Sequence, residues 1–221
     1  MSKAGQGAPD LESDKKRALA LTPVSRETEK RILMFVDMLL LGQQKQNLVG
    51  SSTLAQIWTR HIADSLQLIP LAPHAKRWVD FGSGAGFPGL VIACALADTP
   101  GVMVHLVESV GKKANFLREV AAKLHLPAQI HQERAEKFGE SCAEPVEVVT
   151  ARALAPLKTL CDQAFPLIAR GALGLFPKGQ DVDAELTEAA KYWRLKASTV
   201  PSVTHPAGKI VILRGLERLR K

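Results

Sequence analysis

A glycine-rich stretch, Asp80–Gly89 ("DFGSGAGFPG"), follows the apolar run "RWV" and opens into a second apolar run, "LVIACALA". That order reads as a strand, a tight turn and a helix start. The chain beyond it repeats the rhythm. "VMVHLVE" precedes "KKANFLREVAAKLHL", then come "AQIHQ", "VEVVTAR" with "LKTLCDQAFPLIA", and "ALGLF". Strands alternating with helices call for a parallel sheet covered on both faces, so the fold class is α/β. The rhythm stops at "YWRLKASTV" and "KIVILRG", two strand-like runs joined by "PSVTHPAG" with no helix between them. These predict a C-terminal antiparallel hairpin on a mostly parallel sheet.

Upstream, "SRETEKRILMFVDMLLLGQQKQN" sets Ile32, Phe35, Val36 and Leu39 on one helical face, and Ser25 offers a cap ahead of an acidic first turn. A second helix is predicted over "TLAQIWTRHIADSLQLIP", ending near Pro70. Residues 1–24 are polar and aperiodic and read as a flexible tail. The expected organisation is that tail, a helical N-terminal extension over 25–76, and the α/β domain over 77–221.

The loop follows the first strand of the sheet, and right-handed crossovers place such a loop at the carboxyl edge, where open sheets bind ligands. Gly82, Gly84 and Gly86 allow backbone dihedrals closed to other residues. Gly84–Gly89 also spells the dinucleotide pattern G-x-G-x-x-G. A dinucleotide needs free N–H groups at the helix start for its pyrophosphate. Pro88 removes one, and the Asp80 carboxylate would repel phosphate. S-adenosylmethionine carries no phosphate but an ammonium and a sulfonium, which an acid attracts. The loop therefore favours S-adenosylmethionine. Glu108 ends the second strand 24 residues after Gly84, a position suited to accepting hydrogen bonds from ribose hydroxyls.

Composition narrows the setting. The chain has 221 residues, enough for one large domain with a helical appendage. Nothing approaches the roughly 18 apolar residues of a membrane span, and the first residues lack a secretory core, so a cytoplasmic protein is expected. Cys94, Cys142 and Cys161 are too scattered for a disulfide framework or a metal site. Lys and Arg number 29 against 22 Asp and Glu, a net charge of +7 that suits a nucleic-acid partner without proving one.

"RHIADSL", "VDFGSGAGFPGL", "LVESVGKKANFL", "ERAEKF", "TARALAPL" and "FPKG" stand in that order and at similar separations in one family. From about Arg26 onward the chain closely resembles the bacterial small-subunit ribosomal RNA methyltransferase G family (glucose-inhibited division protein B). The resemblance implies a Rossmann-like S-adenosylmethionine-dependent methyltransferase sheet with an N-terminal helical extension. It implies methyl transfer to N7 of one guanine in 16S ribosomal RNA, free or in a small-subunit particle. By motif it carries cofactor contacts to Gly82 and Phe87 in the loop, where Gly84 is a further cofactor-binding candidate, and to Ala135 and Glu136 in "ERAEKF". It also carries them to Arg152 in "TARA", alongside Glu108. Many members have Asp where Glu108 stands, a mild change.

Guanine N7 already offers a lone pair, so no proton has to leave before attack and no dedicated base is needed. His61 and Asp64, three apart, read as a hydrogen-bonded pair tying a helix to the core. The positioning candidates are Arg134, Arg152 and Lys178, all expected in loops at the ligand edge. Lys112, Lys113 and Arg118 are further RNA candidates. Trp58, Trp78 and Trp193 read as packing residues. No metal and no obligatory protein partner is implied, and a monomer is expected. An NAD-dependent oxidoreductase is disfavoured by Asp80, Pro88 and the terminal hairpin. A non-catalytic RNA-binding factor is disfavoured by the intact Gly82, Glu108 and Arg152.

Overall fold

A computed structural model describes residues 11–219; residues 1–10 of the expected tail lie outside it. From Leu11 the expectation of a tail is overturned. Leu11–Leu21 forms a helix, α1, anchored by the buried carboxylate of Asp14. Asp14 Oδ2 accepts the backbone N–H groups of Trp58 (2.9 Å) and Thr59 (3.1 Å), while Oδ1 accepts the Thr59 hydroxyl. Ala18 is the one buried apolar residue on α1, so the helix has no periodic stripe to betray it. Its docking is polar.

The next helix, α2 (Arg26–Gln43), follows the sequence reading. Ser25 Oγ accepts the Thr28 N–H at 3.1 Å, and Ile32, Phe35, Val36 and Leu39 are buried. The single helix predicted over 53–70 is instead broken. It comprises a 3-10 stretch Ser51–Gln56, a π-helical turn Trp58–Ala63 and a short α-turn, α3 (Asp64–Leu66). The new start at Trp58 is where Asp14 caps the free N–H groups, as an acidic cap does at a helix N-terminus.

The sheet begins with β1 (Arg77–Phe81), followed by α4 (Gly89–Leu96), β2 (Met103–Val107), α5 (Gly111–Lys123) and β3 (Ala128–His131). Then come α6 (Ala135–Ser141), β4 (Val148–Ala151), α7 (Leu157–Ile168), β5 (Leu173–Lys178), α8 (Val182–Ala190), β6 (Trp193–Pro201) and β7 (Lys209–Arg218). The strand order is β3-β2-β1-β4-β5-β7-β6. β1 to β5 are parallel, and β7 runs antiparallel between β5 and β6. The terminal hairpin is present, and it docks through its second strand because "KIVIL" is the more apolar half and takes the inner place.

One face of the sheet packs under α4, α5 and the N-terminal extension, with Ile32, Phe35 and Leu39 in one core with Leu90 and Ile92. The other packs under α6, α7 and α8, around Phe81, Leu160 and Phe176. Arg31 adds a two-pronged contact to Asp98 at 2.8 and 2.6 Å, joining α2 to the end of α4. The extension is thus welded to the sheet beside the glycine loop. Trp58, Trp78 and Trp193 are all buried, as packing residues should be. No described helix is long and apolar enough to cross a membrane.

Candidate active site

Strand order reverses between β1 and β4, so the crevice of this open sheet lies at their carboxyl ends. Register makes the point sharper. Phe81 pairs with Val107 on one side and with Ala151 on the other. The next residue on each strand is Gly82, Glu108 and Arg152 respectively. Three residues far apart in sequence therefore leave the sheet in one row.

Gly82 and Gly84 have φ of +65° and +55°, in the left-handed region that glycine enters freely. A Cβ on Gly82 would lie 2.5 Å from Leu154 Cδ1, whereas one on Gly84 would meet nothing nearer than a carbonyl at 3.7 Å. Leu154 lies against the loop, and the backbone beside it is unusual, because Ala153 has φ +53°. No sequence signal marked either residue.

Three N–H groups of the loop are already engaged. Gly84 donates to Glu108 Oε2 at 2.9 Å, Gly86 to the Ser83 carbonyl at 2.7 Å, and Gly89 to Asp80 Oδ2 at 3.0 Å. A pyrophosphate would find none of these three donors free, which argues against the dinucleotide reading. Asp80 itself does not face a ligand, contrary to the sequence expectation. It is 1% exposed and also accepts the Thr150 hydroxyl at 3.0 Å. Burial raises its pKa to about 7 against the opposing pull of those hydrogen bonds. Asp80 braces the loop from beneath.

Glu108 keeps its place at the β2 end. Its second oxygen accepts the Val110 N–H at 2.7 Å, so both oxygens of the side chain are fixed by the backbone. Phe87 sits within the loop, between Gly86 and Pro88. Its ring is buried, stacked on the His61 ring at 4.8 Å and tilted against Phe35 at 5.4 Å. Ala135 opens α6 and is buried, while the exposed Glu136 accepts a hydrogen bond from Gln163 at 2.8 Å, which lowers its pKa.

Arg152 is the hub of the other half. Its Nη2 donates to His61 Nδ1 at 2.7 Å and its Nη1 to the Arg60 carbonyl at 3.2 Å. Asp64 Oδ2 lies 3.7 Å from Nη1, and the guanidinium carbon lies 5.4 Å from the centre of the Phe87 ring. Because a guanidinium only donates, His61 Nδ1 must accept, and the proton sits on Nε2, 2.9 Å from Thr53 Oγ1. Burial, then the charges of Arg152 and Arg60, push the His61 pKa down to about 3. His61 and Asp64 do not pair with each other; both hold Arg152.

Two further expectations change. Lys178 is not free for RNA: Nζ donates to the Ala155 carbonyl at 2.8 Å and pairs with Glu185 at 2.7 Å, tethering the 153–156 loop. Arg118 bonds Asn115 at 2.7 Å. Arg134 is exposed and makes no side-chain hydrogen bond or ion pair among the described residues, and Lys112 in the first turn of α5 is likewise exposed. Cys94 and Cys161 have thiols pushed up by burial to about 12, which leaves them inert at neutral pH.

Beside the row, a cleft of about 520 Å³ opens between the extension, the 152–156 loop and the β6–β7 turn. Arg60, His61, Asp64 and Arg152 line it together with Thr204 and Lys209. The hairpin turn contributes a wall that sequence patterns did not reveal.

Sheet order, glycine loop and strand-end acid define the class: a Rossmann-like methyltransferase fold. Solved structures with the same architecture include the O-methyltransferase TomG from Streptomyces achromogenes in complex with SAM. It matches with a TM-score of 0.59 and 12% identity over 92% of this chain and 96% of that one. An O-methyltransferase from Bacillus cereus in complex with SAH matches with a TM-score of 0.59 and 13% identity, over 92% and 97%. The model of the family described as rRNA small subunit methyltransferase G matches residues 28–213, and the chain belongs to that family. Curated relatives named Ribosomal RNA small subunit methyltransferase G include one from Bradyrhizobium sp. (strain ORS 278). It is 54% identical over 209 residues, covering 95% of this chain and 94% of the relative. Another, from Rhodopseudomonas palustris (strain BisB18), is 54% identical over 212 residues, covering 95% and 89%.

Proposed function

We propose that this protein transfers the methyl group of S-adenosyl-L-methionine to N7 of one guanine in 16S ribosomal RNA, in the cytoplasm and as a monomer. The observation that carries the reading is the single row of Gly82, Glu108 and Arg152 at the switch point of the sheet. The pocket fits the cofactor on its own chemistry. Gly84 leaves open space where a side chain would stand, Glu108 offers a fixed carboxylate, and the loop has spent on itself three donors that a phosphate would need.

Glu108 would hold the ribose hydroxyls, and Gly82 and Gly84 would let the backbone approach. Ala135 and Glu136, at the start of α6, would border the adenine. The cofactor supplies an activated methyl group on a sulfonium. Arg152, locked by His61 and Asp64, fixes the wall between the loop and the cleft. His61 has its Nδ1 lone pair committed to Arg152, so it is no free base, and N7 has no proton to lose. The residues act by orientation, which can lower a barrier by about 7–11 kcal/mol when reacting atoms are held in line.

The test is primer extension after N7-specific cleavage of ribosomal RNA from cells with and without the protein. Methylation at one small-subunit guanine that vanishes with the protein and returns on adding it back with S-adenosylmethionine is the expected result. An unchanged pattern overturns the reading.

A further inference from the structure

The cleft beside Arg152 is too large to be a packing defect, and charged side chains line it. Building on methyl transfer to guanine N7, we propose that this cleft seats the target base and that Asp64 selects guanine by accepting hydrogen bonds from its N1–H and N2 amino groups.

The purine ring fixes the geometry. N7 and the N1–N2 side are opposite edges of guanine, so a base that turns N7 toward the glycine loop turns its N1–H and N2 amino group away from it. Among the four RNA bases, guanine alone presents two adjacent donors on that edge. The matching wall must therefore offer an acceptor that accepts only. An ionised carboxylate is such a group.

Two carboxylates line the cleft, Asp64 and Glu185. Glu185 Oε2 already takes the Lys178 ammonium and the Leu157 N–H at 2.6 Å, so its charge is neutralised and spent on the 153–156 loop. Asp64 is built differently. Its Oδ1 accepts the Thr204 hydroxyl at 2.8 Å and Gln67 Nε2 at 2.7 Å, and Gln67 Oε1 in turn accepts the Val203 N–H at 2.9 Å. The carboxylate is thereby pinned from the hairpin turn, 140 residues away in sequence. Among the described residues, Oδ2 is left with only the long 3.7 Å contact to Arg152. Burial pushes the Asp64 carboxyl upward, and Arg152, Thr204, Arg60 and Gln67 oppose that push.

The rim fits a nucleotide as well. Arg60 is exposed at the cleft mouth and makes no side-chain hydrogen bond or ion pair among the described residues, so its guanidinium is available to a phosphate. Leu154, which rests on Gly82, also lines the cleft. The base would then sit next to the loop, with no intervening layer of protein.

The experiment is single-turnover methylation of a small-subunit RNA carrying either guanosine or inosine at the target position; inosine lacks the N2 amino group. The wild type should favour guanosine by about tenfold or more, the cost of leaving a buried acceptor unpaired. Asp64→Asn should slow the guanosine reaction and lower the guanosine-to-inosine ratio by about tenfold relative to the wild type, with S-adenosylmethionine affinity held within about threefold. Comparing ratios cancels the intrinsic difference in N7 reactivity between the two bases. Thr204→Val keeps the carboxylate and removes one pin, so it should lower the ratio part-way; it also decides the matter if Asp64→Asn does not fold. A wild-type ratio preserved in the folded variants overturns the role of Asp64 while leaving methyl transfer intact. Absence of any methyl transfer by the wild type overturns the underlying activity, and the base site with it.

Discussion

Arg152 Nη2 and His61 Nδ1 lie 2.7 Å apart, joining the end of β4 to the π-helical turn of the extension. The contact sets the imidazole tautomer and makes His61 a positioning residue. His61→Gln should lower kcat/KM by roughly tenfold, the worth of one hydrogen bond to a charged group. The shape of the pH–rate profile should match the wild type, because His61 does not titrate near neutrality. Complete loss of turnover in a folded variant that still binds RNA would contradict this and point to His61 as a base.

Stability should respond to acid in two opposing ways. His61, His105 and His131 all have pKa values lowered in the fold, chiefly by burial. Their folded values lie below the unfolded value near 6.5, so their contribution is complete above 6.5 and is lost as pH falls below it, for His61 down to about 3. Asp80 runs the other way: its folded pKa of about 7 exceeds the unfolded 3.8, so its contribution is complete below 3.8 and is lost as pH rises through 7. Asp64 shifts in the same sense as Asp80. Urea unfolding between pH 4 and 7 should therefore give a shallower acid loss in His61→Gln and a steeper one in Asp80→Asn. Profiles parallel to the wild type would show that neither group is perturbed.

Gly82→Ala should cost about 1–3 kcal/mol of stability, since φ of +65° is a left-handed backbone and the new methyl must displace Leu154. S-adenosylmethionine affinity should drop with it. Calorimetric titration of the folded variant checks the second half, and unchanged affinity would remove Gly82 from the binding loop.

Asp14 shows where sequence reading reached its limit. The sheet was legible because apolar runs at strand length alternate with helical periodicity, and the glycine loop because few other residues tolerate its dihedrals. α1 was not, because a single carboxylate rather than an apolar stripe docks it. Asp80 and Lys178 misled for a related reason: a charged residue at a ligand edge looks available until its partners, Gly89 with Thr150 and Ala155 with Glu185, are in view. The cleft escaped notice because its walls come from segments some 140 residues apart, exemplified by Asp64 and Thr204.

Asp14→Ala should in turn destabilise the protein by about 2–3 kcal/mol, as two N–H groups at the start of the π-helical turn lose their acceptor. Because that turn carries His61 and leads into Asp64, turnover should fall as well. Chemical denaturation measures the first effect. A midpoint equal to the wild type would mean that α1 is not docked in solution.

Salt dependence separates the free cations from the committed ones. Each phosphate contact to single-stranded nucleic acid contributes a log–log slope of about −0.7 through release of counterions. Arg134, exposed ahead of α6 and without an ion pair among the described residues, can make such a contact. Lys178 cannot without breaking its bonds to Ala155 and Glu185. Arg134→Ala should flatten the slope by about 0.7 and leave cofactor affinity near the wild-type value. Lys178→Ala should leave the slope unchanged but lower the thermal midpoint, because the 153–156 loop loses its tether. Filter binding of a small-subunit RNA fragment across a salt series, with a thermal melt in parallel, distinguishes the two. A flattened slope in Lys178→Ala with no loss of stability would mean that its ammonium leaves Glu185 for the RNA, and would return it to the RNA surface.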